Sequence, residues 1–119
     1  MESDYGWIRF NTLATPDVVE RIAKIDTKPA EFVVELLKFF GKMYKQAQGF
    51  NYPPVHDPCA VAYVIDPTLI ETVSVPVNIE LTGTHTLGMT VADFRYPPKP
   101  CNTQVATKLD KERFWNLII

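Results

Sequence analysis

The ten residues 53–62, Pro-Pro-Val-His-Asp-Pro-Cys-Ala-Val-Ala, constrain the fold of this chain more than any other stretch. The two successive prolines exclude regular structure at its start. Asp57 followed by Pro58 is a helix-start signal, because Asp is a favoured N-cap and Pro suits the first helical position, where its missing N–H is not needed. Residues 59–65 are apolar on every side. We therefore predict a short, buried helix with His56 and Asp57 at its N-terminus.

Two interpretations of this His-Asp pair stay open from the residues alone. Asp57 can be a plain helix cap with a packed His56 beside it, which is the commoner arrangement for these residue types. Alternatively, the pair is held ready for chemistry at the positive end of a buried helix. The order of His56 and Asp57 in the sequence is compatible with both interpretations.

Upstream of this stretch, two helices are predicted. Thr15 and Pro16 are typical of a helix start, with Asp17 in the first turn. After a restart at Thr27-Lys28-Pro29, a second and longer helix is predicted over about residues 30–47, where apolar residues recur at helical spacing. We expect this apolar stripe to pack in the core rather than to line a ligand site. The stripe consists of Phe32, Val33, Leu36, Leu37, Phe40, Met43, Tyr44 and Ala47.

Downstream, the pattern changes to that of strands. Residues 72–81 alternate strictly between apolar and polar side chains, and Pro76 within them marks an edge position or a bulge. Residues 88–94 read as the returning strand and residues 103–109 as a third strand. Asp110 then caps a last helix. Its apolar residues, which we expect to pack inward, are Phe114, Trp115, Leu117 and Ile118. We predict a short antiparallel β-meander closed by this helix, so that the chain is of the α/β class.

Length and composition define the class of protein. The chain has 119 residues, of which 46% are hydrophobic, and this is typical of a single globular domain. A net charge of −2 leaves no electrostatic footprint for nucleic acid or an anionic membrane surface, so we expect neither as a partner. The longest apolar run, residues 59–65, is too short to span a bilayer. The acidic N-terminus has no secretory signal pattern.

The cysteines, His85 and Asp93 form no recognisable metal-site or disulfide motif. Cys59 and Cys101 form no disulfide framework and share no metal-ligand spacing with a histidine. A reducing compartment fits this cysteine usage, and we expect a cytoplasmic protein. His85 falls in a predicted turn, where it is expected to be solvated. Asp93 is expected to be a polar residue at a strand end.

Four segments together resemble one known family in the same order and register. The segments are TLATPDVVERI, PPVHDPCAVAYVIDPTLIET, LTGTHTLGMTVADFR and NTQVATKLDKERFW, which lie between about residue 12 and the end of the chain. They are similar to the C-terminal portion of the inosine-uridine preferring nucleoside hydrolases. The resemblance implies an incomplete domain over residues 12–119, part of that family's open α/β fold and about a third of its usual length. Residues 1–11 depart from the pattern, which suggests an alternative start, a gene fragment or a splice variant.

The resemblance also implies an activity and a site. The family hydrolyses the N-glycosidic bond of ribonucleosides, such as inosine and uridine, to base and ribose with the help of a calcium ion. By position, Asp57 matches a calcium ligand and His56 matches a residue that protonates the leaving base. Tyr44 falls where relatives place a mobile residue that closes over the nucleobase. Tyr52 is a rival for that role.

The family's N-terminal cluster of aspartates, which supplies the catalytic base and most calcium ligands, has no counterpart here. The seven aspartates of this chain are scattered, whereas calcium takes about six to eight oxygen ligands. We therefore expect this chain alone to be inactive. The alternatives are a non-catalytic fragment that binds a partner or itself, and one half of a split enzyme completed by a second chain. If about 300 Å² of apolar surface is left uncovered, about 7 kcal/mol of stabilisation is missing.

Overall fold

The computed structural model of this protein describes residues 12–49, 51–95 and 99–119, so the predicted divergent segment 1–11 lies outside the described residues. The helices in these ranges are α1 (Pro16–Ala23), α2 (Lys28–Gln48), α3 (Asp57–Ile65) and α4 (Lys111–Ile118), with a 3₁₀ turn at Pro67–Leu69. The strands are β1 (Ile70–Val75), β2 (Val77–Ile79), β3 (Thr90–Ala92) and β4 (Thr103–Leu109). No described helix has the length and apolar character needed to cross a membrane.

The helix α1 begins where the sequence signals predict, and α2 begins at Lys28, two residues before its predicted start. Thr15 occupies the N-cap of α1, directly before Pro16. The Thr27 hydroxyl caps α2 by accepting a hydrogen bond from the Ala30 N–H at 3.4 Å. At its other end, α2 stops at Gly49, whose φ of 74° is the left-handed conformation that favours glycine. The predicted long helix is thus confirmed.

The prediction that the apolar stripe of α2 lies in the core is wrong for most of its length. Of the predicted stripe, only Leu37 is buried, while Phe32 is 65% exposed and Met43 is 48% exposed. The physical reason is the width of the stripe. α1 and the segment before α3 pack against one side of α2, and no described element covers the other side.

The helix α3 begins at the predicted place but is neither capped nor buried as expected. Asp57 is its first residue rather than its N-cap, because His56 already has helical dihedral angles (φ −84°, ψ −45°). Cys59 and Ala62 are buried on one side, where α3 contacts the 3₁₀ turn and α4. On the other side Val64 is 81% exposed. The apolar sequence of α3 therefore exceeds the surface that the described part of the chain can bury.

The strands are antiparallel as predicted, but they form two separate two-stranded sheets rather than a meander. β1 pairs with β4, and β2 pairs with β3. The predicted first strand is divided at Pro76, which has no N–H to donate to a ladder. Asn102 spans the break, since its side chain accepts from the Val77 N–H at 2.8 Å and donates to the Val77 carbonyl at 3.0 Å.

The core lies where all four helices meet the paired strands β1 and β4. Phe114 and Trp115 of α4 are its largest members, and their rings meet edge to face with centroids 5.1 Å apart. Asp110 caps α4 as predicted, because its carboxylate accepts from the Arg113 N–H at 3.1 Å. Contrary to expectation, Leu117 and Ile118 remain exposed.

A polar cluster joins the end of α3 to the start of α4. The Arg113 guanidinium donates to the Asp66 carboxylate at 2.7 Å and to the Thr68 hydroxyl at 2.8 Å. The Thr68 hydroxyl itself donates to Asp66 at 2.6 Å. These hydrogen bonds, first of all the one from the Thr68 side chain, hold the pKa of Asp66 below its ordinary value. The ionised carboxylate is therefore the form that the fold favours.

A carboxyl group whose pKa is lowered by folding contributes stability above its unfolded pKa and loses it as the pH falls. We expect the free energy of unfolding to decrease below about pH 4, and the decrease to be smaller in Asp66→Asn. Urea unfolding between pH 3 and pH 7 measures this. The control is Glu35→Gln, which removes an exposed carboxylate that has no ion pair within the described ranges. Equal acid sensitivity of Asp66→Asn and the parent protein would contradict the expectation.

The two glycines of the α2 region should respond oppositely to alanine. A Cβ at Gly41 meets its nearest non-neighbouring atom, Pro53 Cδ, at an ordinary 3.6 Å, so Gly41→Ala should stabilise the chain by about 1 kcal/mol through helix propensity. Gly49→Ala should destabilise it by about 1 kcal/mol, because a Cβ is strained at positive φ. Denaturant midpoints of both variants test the pair. Effects of equal sign would show that Gly41 is not in a helix or that Gly49 does not have a positive φ.

Candidate functional site

The backbone just before His56 is fixed by a short antiparallel contact with the start of the described chain. The Ala14 N–H donates to the Pro53 carbonyl at 3.0 Å, and the Val55 N–H donates to the Thr12 carbonyl at 3.0 Å. Pro53 and Pro54 are buried in this contact. Because prolines cannot donate, Pro53 takes part only through its carbonyl, and the donors are the N–H groups of Val55 and Ala14. The contact sets the position at which α3 begins.

His56 and Asp57 are both exposed at the head of α3. The His56 carbonyl accepts from the Cys59 N–H at 3.0 Å. In the described part of the chain, no residue hydrogen-bonds to the His56 ring or to the Asp57 carboxylate. The interpretation as a plain cap with a packed histidine is therefore not the arrangement seen. Both side chains are available to a ligand, and the helix N-terminus favours a negative charge at Asp57.

A cleft of about 420 Å³ brings three of the predicted site residues together. Tyr44 on α2 lines it from one side, and His56 and Asp57 line it from the other. The rest of the lining is apolar. It is supplied by Leu36, Leu37, Phe40, Pro53, Pro54, Val55 and Pro58. Mostly apolar walls with a few convergent polar groups are typical of small-molecule sites.

The sequence pattern assigns Leu36 and Phe40 to the core and does not predict that they line this cleft. The helical spacing correctly predicts that the residues of the stripe lie on one face of α2. It does not tell whether the face meets another element or an open cleft. The rival for the role of Tyr44 lies elsewhere, since Tyr52 lines a different cleft, between α1 and α2. Of the two tyrosines, Tyr44 shares a cleft with His56 and Tyr52 does not.

Cys59 lies one turn into α3 but cannot serve as a nucleophile at neutral pH. Burial raises the pKa of its thiol to about 11, and the thiol donates to the Val55 carbonyl at 3.3 Å. The thiolate, which is the nucleophilic and metal-binding form, is therefore disfavoured. Cys59 acts as a small buried side chain, as predicted. His85 is exposed, also as predicted.

The described residues do not by themselves form a calcium site. Over residues 12–49, 51–95 and 99–119, no three His, Cys, Asp or Glu side chains come close enough together to hold a metal ion. Among the described residues that line its cleft, Asp57 is the one carboxylate. One carboxylate supplies at most two of the six to eight oxygens that calcium takes.

Comparison with known proteins identifies the family. The sequence model of the inosine-uridine preferring nucleoside hydrolases matches residues 5–116. The chain belongs to this family. Enzymes named inosine-uridine preferring nucleoside hydrolase from Leishmania major and Crithidia fasciculata are 57% and 55% identical to it over 108 residues. That overlap is 90% of this chain and 34% of each relative, so the chain spans about a third of their length.

A solved structure supports the same assignment at the level of the fold. The purine-preferring ribonucleoside hydrolase from Gardnerella vaginalis matches with a TM-score of 0.72 and 32% sequence identity. The match covers 91% of this chain and 34% of the other. The predicted fold class, a portion of the nucleoside-hydrolase α/β fold, is thereby confirmed.

The lone carboxylate predicts weak calcium binding. We expect calorimetric titration of the purified chain with calcium to give no binding tighter than millimolar, because most of the ligand shell is missing. Asp57→Ala is the control and should give the same trace. Binding tighter than millimolar that disappears in Asp57→Ala would show that this chain completes the shell by itself.

Proposed function

We propose that this chain supplies the nucleobase side of a site that hydrolyses the N-glycosidic bond of ribonucleosides such as inosine and uridine. The observation that carries the proposal is the convergence of Tyr44, His56 and Asp57 on one cleft, in a chain that belongs to the nucleoside hydrolase family. The overall reaction adds water across the bond and releases the free base and ribose.

His56 is the general acid of the proposed reaction. As the bond breaks, its electron pair moves onto the nitrogen of the base, while the sugar passes through an oxocarbenium-like state. A proton from the His56 ring neutralises the charge that develops on that nitrogen. The exposed ring, with no hydrogen bond to any described residue, can turn toward the departing base.

Tyr44 and the apolar walls of the cleft bind the base. A planar nucleobase has an apolar face and polar edges, and the side chains of α2 match the face. Tyr44 is half-buried, so its ring can cover the base while its hydroxyl stays near solvent. Leu36 and Phe40, on the same face of α2, extend this apolar surface.

Asp57 is proposed as one ligand of a calcium ion, and the other ligands and the water-activating base come from outside the described residues. Within the part of the chain that the structure describes, no second acidic side chain lines the cleft. We infer that the chain alone does not hydrolyse nucleosides. A region that carries further carboxylates must join it to complete the site. The exposed apolar sides of α2 and α3 offer a surface for such a region. A purely non-catalytic partner and a self-associating chain are the alternatives.

A complementation assay tests the proposal. The purified chain is assayed for release of base from inosine and uridine with calcium, alone and after mixing with the N-terminal two-thirds of the Leishmania major relative. We expect no release by the chain alone and release on mixing. Turnover by the pure chain would overturn the inference that its site is incomplete. Absence of turnover in a mixture shown to form a complex would overturn the proposed function.

Within the active mixture, the two histidines of the chain provide a matched pair. His56→Gln should lower kcat by about 10²- to 10⁴-fold, the usual contribution of a general acid. His85→Gln changes an exposed residue that lines neither of the two clefts beside α2, and it should leave kcat unchanged. Equal losses in the two variants would remove His56 from the proposed role.

A further inference from the structure

A second cleft, of about 650 Å³, lies between α1 and α2 and is separate from the proposed site. Of the described residues, it shares Leu37 and Pro53 alone with the first cleft. Its apolar lining includes the buried Ala14 and the partly buried Val19 and Val34. The proposed hydrolysis uses none of the residues that belong to this cleft alone.

A row of lysines borders this cleft. Lys38, Lys42 and Lys45 all line it, and their spacing along α2 puts them on one face of the helix. All three are exposed, and none forms an ion pair with a described carboxylate. The acid on the opposite wall, Glu20, is already paired with Lys24 at 2.9 Å. The cleft is thus locally positive, although the chain as a whole carries a net charge of −2.

We propose that the cleft between α1 and α2 is a docking groove for an acidic amphipathic helix of a protein partner. An apolar stripe of the partner would cover the apolar floor, and its flanking carboxylates would pair with the three lysines. Charge complementarity is the argument for this occupant. Lys38 and Lys45 are separated by about 10 Å along α2, which is two turns of a docked helix.

Two further features favour a helix over a compact anion. The ammonium groups are spread along the groove rather than gathered at one point, so they match carboxylates repeated along a helix. Gly41 lies on the same wall, between Lys38 and Lys42, and has no side chain to keep a partner backbone away. A partner helix can therefore approach the backbone of α2 closely between the lysines.

The test uses a fluorescein-labelled, 14-residue helical peptide with a leucine stripe flanked by glutamates, and a second peptide with lysine in place of glutamate. Fluorescence anisotropy measures binding to the whole chain. We expect the glutamate peptide to bind and K38E/K42E to weaken its binding at least tenfold. K28E/K111E makes the same change in net charge at two helix starts outside the groove, and it should leave binding unchanged.

Gly41→Leu separates groove docking from general attraction between charges. It leaves the charge unchanged and introduces a residue type that favours helix, but its side chain fills the groove wall. We expect at least a tenfold loss of binding, with circular dichroism confirming that the variant is folded. Unchanged binding by Gly41→Leu, an equal loss in K28E/K111E, or equal binding of the lysine peptide would each overturn the proposal. So would inorganic phosphate binding at these lysines while the glutamate peptide does not bind.

Discussion

The arrangement of this chain depends on the two backbone hydrogen bonds that join residues 12–14 to residues 53–55. They hold the head of α3 against the base of the α1–α2 pair, and both clefts open beside this junction. On one side, Tyr44 faces His56 and Asp57. On the other side, the lysine row of α2 faces α1. The buried Pro53 lines both clefts, so this single contact sets the geometry of the two candidate binding surfaces.

Local signals in the sequence predict much of this fold. The threonines before α1 and α2, the alternation of β1, and Asp110 at the head of α4 each depend on neighbours within a few residues, and the structure has each of these elements. Burial is different, because it depends on what packs against a face. Phe32 and Val64 have the right spacing for a core, but no described element covers them. The apolar spacing predicts which residues share a face of a helix. It does not predict whether another element packs against that face.

The same distinction applies to the candidate site. The proximity of His56 to Asp57 follows from their order in the sequence, and the resemblance to a family supplied Tyr44. That Tyr44 shares their cleft and Tyr52 does not depends on how α2 lies against residues 53–58, which no local pattern encodes. Leu36 and Phe40 were missed for the same reason. An apolar side chain at helical spacing gives the same sequence pattern whether it packs against protein or lines an open cleft.

The junction at residues 12–14 and 53–55 also bears on how the chain folds. It closes a loop of about 40 residues, which costs about 3 kcal/mol of chain entropy before its two hydrogen bonds form. Helices α1 and α2 need only local contacts and can form earlier, whereas the neighbourhood of His56 has to wait for this distant closure. The surface on which the proposed chemistry depends is thus assembled late, by a contact that no short peptide cut from either side of the junction would contain.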